Sequence, residues 1–108
     1  NAVNRDTALV AAMLVNNEIG VVQPVGEIAA IAHDVGALMV CDAVQGFGRM
    51  PIPAGPDLVA ACAHKLHGPK MIGALWIRSG LKIDAFIHGG GQQAGLRSGT
   101  LSPMLCAG

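Results

Sequence analysis

Two apolar runs of strand length, separated by one amphipathic helical pattern, constrain this chain more than anything else in it. Residues 8–15 read Ala-Leu-Val-Ala-Ala-Met-Leu-Val, with no charge among them, and end at Asn16-Asn17. That is the pattern of a strand covered on both faces. Pro24 then stands where a helix can begin, and Val25, Ile28, Ala29, Ala32 and Val35 follow at helical spacing. Gly36 is the expected stop at the C′ position. Residues 37–41 form a second apolar run that ends in Asp42. Strand, helix, strand in this order predicts a βαβ unit. Residues 58–62 read as a third strand and 71–77 as a fourth, and His88–Gly91 reads as a glycine-rich loop. The fold class is therefore α/β, a mostly parallel sheet with flanking helices.

Composition decides how much of a domain this is. The chain has 108 residues, 52% hydrophobic and 13% charged, against about 25% charged in ordinary soluble domains. A free-standing unit this small needs more polar cover, because its surface is large for its volume. The expectation is one unit, residues 1–108, forming part of a larger soluble protein. Seven Lys and Arg balance seven Asp and Glu, and the aromatic residues are Phe47, Trp76 and Phe86. Neither a basic nucleic-acid surface nor a stacking platform is indicated. No apolar run approaches the roughly 20 residues that span a bilayer, so no membrane partner is expected. Cys41, Cys62 and Cys106 are odd in number and lack CxxC spacing, which argues against a disulfide framework and a structural zinc site. A reducing, cytoplasmic setting follows as the expectation.

In open parallel sheets, ligands bind beyond the carboxyl ends of the strands. Here those ends carry Asn16-Asn17, then Asp42 with Gln45, then His64-Lys65, and all should line one crevice. An acid, an amide, an imidazole and a primary amine together suit pyridoxal phosphate, which needs a lysine for its Schiff base and an acidic partner for its ring nitrogen. Each residue also has a plainer reading. Lys65 alone is a solvated surface lysine, and Asp42 after a strand serves equally as a turn residue. His64 and His67 lie three apart, but Gly68-Pro69 disfavours a helix there and no third ligand is evident, so no metal is expected.

Five blocks carry a resemblance: Asn16-Asn17-Glu18-Ile19-Gly20, Asp42-Ala43-Val44-Gln45, Ala63-His64-Lys65-Leu66-His67-Gly68-Pro69-Lys70, His88-Gly89-Gly90-Gly91-Gln92 and Arg97-Ser98-Gly99-Thr100. In this order, from about residue 8 to residue 100, the chain resembles the NifS-like cysteine desulfurases of the class V aminotransferase group. The resemblance implies a fold-type I, aspartate aminotransferase-like enzyme, of which residues 1–108 are part of the large cofactor domain. It implies that Lys65 holds pyridoxal 5'-phosphate as a Schiff base and moves protons on the substrate. Asp42 would face the ring nitrogen, Gln45 the ring hydroxyl oxygen, and Asn17 the cofactor and substrate. His64 matches a phosphate-bonding side chain, and Cys62 stands where the family has a phosphate-bonding serine. Thr100 matches a threonine that reaches the phosphate of a neighbouring subunit, which implies a homodimer.

The implied reaction converts L-cysteine to L-alanine and leaves the sulfur on an enzyme cysteine as a persulfide. That sulfur then goes to an acceptor or scaffold protein of iron-sulfur cluster assembly. The persulfide cysteine belongs to a later block than Cys106, which is expected to be structural. Asp42 and Lys65 are a few positions closer together than in familiar members, with the loop through Pro51, Pro53 and Pro56 as the natural place for the shortening. The alternatives are another class V enzyme, such as a selenocysteine lyase or an aminotransferase, and a non-catalytic partial chain.

Overall fold

Residues 2–108 are described by a computed structural model. The order is β1 (Leu9–Met13), α1 (Val25–Asp34), β2 (Leu38–Asp42), β3 (Leu58–Cys62), β4 (Gly73–Ile77) and α2 (Pro103–Ala107), with single 3-10 turns at Ala63–Lys65 and Gln93–Gly95. The four strands form one sheet in the order β1-β2-β3-β4. β1, β2 and β3 are mutually parallel, with Met13 opposite Asp42 and Asp42 opposite Ala60. β4 runs antiparallel to β3, pairing Cys62 with Gly73. The α/β class and the βαβ unit are as the sequence implies.

α1 forms because its apolar positions repeat at helical spacing, and Val25, Ala29 and Ala32 are buried along that stripe. Pro24 is the residue before the helix, not its first. Gly36, at φ 86°, ends it. The Gly36 N–H donates to His33 O and the Ala37 N–H to Ala32 O, the paired bonds that close a helix through a left-handed residue. The chain can therefore turn at once into β2.

Paired residues share a face of the sheet, and successive residues alternate between faces. Met39 and Cys41 of β2, with Val59 of β3, face α1 and make the core together with Leu14, Ala37 and Ala43. Leu38, Val40 and Asp42 lie on the opposite face and are half-buried. Cover on both faces, expected from the unbroken apolar run, is thus not realised for β1, where Leu9 and Ala11 are exposed.

Two boundaries and one residue's setting differ from the sequence reading. β1 stops at Met13, because Val15 turns away to bridge Val22 in antiparallel fashion. β4 starts at Gly73 and not at Met71, whose φ of 70° is incompatible with a strand. Cys106, expected to be structural, is an exposed free thiol on α2.

The buried acid of the fold was not anticipated. Asp57, just before β3, is fully buried. Its Oδ2 accepts from the Met39 N–H at 2.7 Å and pairs with His33 Nε2 at 2.8 Å, while Arg78 Nε lies 2.8 Å from Oδ1. Burial opposes ionisation of Asp57, but the Met39 N–H, His33 and Arg78 outweigh it and hold the carboxyl below its ordinary value. One side chain thus ties the end of α1 to β2 and to the residue following β4.

Candidate functional site

The parallel register brings the polar strand ends together. Asp42 and Cys62 lie on the sheet face away from α1, at the carboxyl end of adjacent strands, since Asp42 pairs with Ala60 two residues before Cys62. Two turns leave these ends. One covers residues 43–50, with Ala43 N–H donating to Ala60 O and Phe47 N–H to Ala43 O. The other is the 3-10 turn Ala63–Lys65.

Asp42 is half-buried, and its Oδ1 accepts from the Val44 N–H at 3.0 Å. This bond fixes the carboxylate while Oδ2 has no protein donor among the described residues, an arrangement suited to a cationic ring N–H. Gln45 is half-buried in the same turn. Lys65 is half-buried, and its amine enters no ion pair among the described residues. An amine left unpaired beside a strand end can become a nucleophile once neutral. Cys62 Sγ lies 3.7 Å from Nε2 of the exposed His64, so two donors meet at one point. By its donor set this strand-end cluster fits a phosphorylated pyridine aldehyde: a carboxylate for the ring nitrogen, an amine for the carbonyl, and donors for the phosphate.

Asn17 and Thr100 are placed differently. Asn17 follows β1 at the same end of the sheet, exposed, with its Nδ2 donating to Glu18 Oε1 at 2.8 Å. Thr100 is exposed on the loop after Gly99 and has no hydrogen bond to the strand-end residues among those described. His67, at φ 65°, belongs to a turn with Gly68, whose N–H joins that of Leu66 on Ala63 O. Cys41 is buried, and burial followed by the adjacent Asp42 charge pushes its thiol up from the ordinary value, which keeps it protonated.

A cavity of about 250 Å³ adjoins this cluster, lined by Phe47, Ala61, Ala63, Leu66 and Ala74 among others. Ala61 and Ala74 pair across the strands and face the α1 side. Cys62 and Gly73, which also line it, lie on the face of Asp42, so the cavity wraps the sheet end beside Cys62, and its apolar walls do not suit an anion.

Residue periodicity did not reveal Arg49. Its Nη2 donates to the Lys65 carbonyl at 2.8 Å. A cation seven positions beyond Asp42 reads in the sequence as a solvated loop residue.

The family model described as aminotransferase class-V matches residues 1–102. The chain belongs to the class V aminotransferase family. Among curated relatives of this class V chain, the cysteine desulfurase IscS of Rickettsia rickettsii is 47% identical over 113 residues, covering all of the chain and 28% of the relative. A solved structure titled a NifS-like protein superposes with a TM-score of 0.84 at 44% identity, over 92% of the chain and 28% of that protein. A second, titled SspA in complex with cysteine, gives 0.87 at 39% identity over 95% and 31%. The class V chain spans 23% to 28% of the length of the curated relatives it matches. The matched fold is that of NifS-like proteins, as the five sequence blocks suggest.

Proposed function

We propose that this chain is the cofactor-gripping segment of a pyridoxal phosphate-dependent cysteine desulfurase. The observation that carries the reading is the meeting of Asp42, Cys62, His64 and Lys65 at one end of the parallel strands. Relatives named cysteine desulfurase and a related protein solved with cysteine support the choice of L-cysteine as substrate.

Pyridoxal phosphate, when bound, supplies an electron sink for the pair left at the substrate α-carbon. Lys65 holds the cofactor carbonyl carbon and carries the α-proton. Asp42, steadied by the Val44 N–H, keeps a proton on the ring nitrogen. Gln45 donates to the ring hydroxyl oxygen, Cys62 and His64 donate to the phosphate, and Asn17 orients the cofactor and substrate. Thr100 serves the phosphate of a second subunit, so that the site is completed in a homodimer. L-cysteine and an enzyme thiol give L-alanine and an enzyme persulfide, whose sulfur passes to an acceptor or scaffold protein of iron-sulfur cluster assembly in the cytoplasm. Cys41, buried and protonated, is not that thiol.

The test is to add pyridoxal phosphate, reduce with borohydride and map the modified lysine by mass spectrometry. Label confined to Lys65 is the expected result. Label absent, or spread over Lys65, Lys70 and Lys82, would overturn the reading.

A further inference from the structure

We propose that Arg49 is a positioning residue that fixes Lys65 through its backbone carbonyl, with Gly48 providing the close approach that lets the two turns meet. The inference rests on the reading of Lys65 given above.

Lys65 sits on a single 3-10 turn, a short element with poor intrinsic hydrogen-bond geometry. From within, the turn is held at its start, where Ala63 O accepts from Leu66 N at 2.7 Å and Gly68 N at 3.0 Å. At Lys65 itself the hold comes from outside, from Arg49 Nη2 at 2.8 Å. A charged donor makes this bond stronger than a neutral one.

The same two turns touch a second time. Gly48 has φ 74°, and a Cβ built on it would lie 2.8 Å from Leu66 Cδ2. Glycine is favoured there by the backbone angle, and a larger residue would have to push the end of the Leu66 side chain aside. Because residues 43–50 begin next to Asp42 and contain Gln45, the Arg49 bond locks the lysine-bearing turn to the turn that meets the cofactor ring. Positioning of this kind governs rate steeply: a displacement of about 1 Å can cost about a hundredfold.

The experiment measures the initial rate at which Lys65 is trapped by borohydride in the complete protein at subsaturating pyridoxal phosphate. Wild type, Arg49→Ala, Arg49→Lys and Lys70→Ala are compared, with far-ultraviolet circular dichroism recorded for each. Arg49→Ala should trap Lys65 about tenfold more slowly at unchanged secondary structure. Arg49→Lys should return to within about threefold of wild type, since an ammonium can still donate to the carbonyl. Lys70→Ala should match wild type. Equal rates in wild type and Arg49→Ala, with wild type labelled at Lys65, would overturn the role of Arg49 alone. So would Arg49→Lys as slow as Arg49→Ala, which is also the deciding comparison if Arg49→Ala perturbs the fold. Failure of wild type to label at Lys65 would remove the functional reading, and this inference with it.

Discussion

Residues 9–62 and residues 71–108 are both rich in apolar side chains but differ sharply in how many they bury. Among the described residues, every buried apolar side chain lies between Leu14 and Val59. In the later region Met71, Phe86 and Met104 are 93%, 94% and 84% exposed, and β4 presents Leu75 and Trp76 to solvent on its two faces. The early region contains a helix that folds back on its own strands, which is the local route to a core. The later region has one antiparallel strand, loops rich in left-handed glycines and the five-residue α2, which buries none of its residues. Apolar composition alone therefore does not make a core. The candidate site lies at the boundary, with its frame in the buried region and Lys65 on the first turn beyond it.

The largest effect should come from removing the same kind of bulk in each region. Leu14→Ala empties a fully buried site and should cost about 3 kcal/mol. Met104→Ala, in the exposed region, should change stability by less than about 0.5 kcal/mol. Urea denaturation of both variants measures the contrast, and comparable losses would break the division between the two regions.

What could be read from the sequence follows the same line. The strands at 38–42 and 58–62, and the helix stripe of Val25, Ala29 and Ala32, were legible because burial imposes a period on neighbouring residues. Asp42 and Lys65 were legible because strand ends in a parallel sheet converge and because five blocks match a family. Arg49 was not, since its partner is a backbone oxygen 16 positions away that has no sequence signature. Asp57 escaped for a related reason: three elements distant in sequence supply its partners, and an acid beside Pro56 reads as a turn. The antiparallel sense of β4 was equally invisible, because an apolar run carries no direction.

Asp57 should give the next largest effect, and one that depends on pH. Asp57→Ala leaves the Met39 N–H without its acceptor in a buried place and should cost about 2–3 kcal/mol at neutral pH. His33 and Arg78 are left facing solvent, which keeps the loss below that of an uncompensated buried charge. The folded carboxyl titrates below its ordinary 3.8. Its contribution is therefore fully present above that value and is lost as the pH falls through the lower folded value. Denaturation followed from about pH 5 down to about pH 2 should show stability declining more steeply in wild type than in Asp57→Asn as the pH falls below the ordinary carboxyl value. Equal slopes would mean that the tie between α1, β2 and the residue after β4 does not depend on the charge of Asp57.

The smallest expected effect is the one with an unusual sign. Met71 holds φ at 70° in the turn between Lys70 and β4, and its side chain is almost fully solvated. A left-handed conformation costs an ordinary residue about 1–2 kcal/mol. Glycine avoids that strain but gives back about 0.4–1 kcal/mol through the greater freedom of the unfolded chain. With no packing to lose, Met71→Gly should stabilise by about 0.5 kcal/mol. Gly36→Ala, at φ 86° with open space around the new methyl group, should destabilise by about 1 kcal/mol for the converse reason. Urea midpoints for the two variants should therefore move in opposite directions. If Met71→Gly lowers stability, its side chain does more than its exposure suggests, and the contrast between a packed early region and an unpacked later one loses its clearest member.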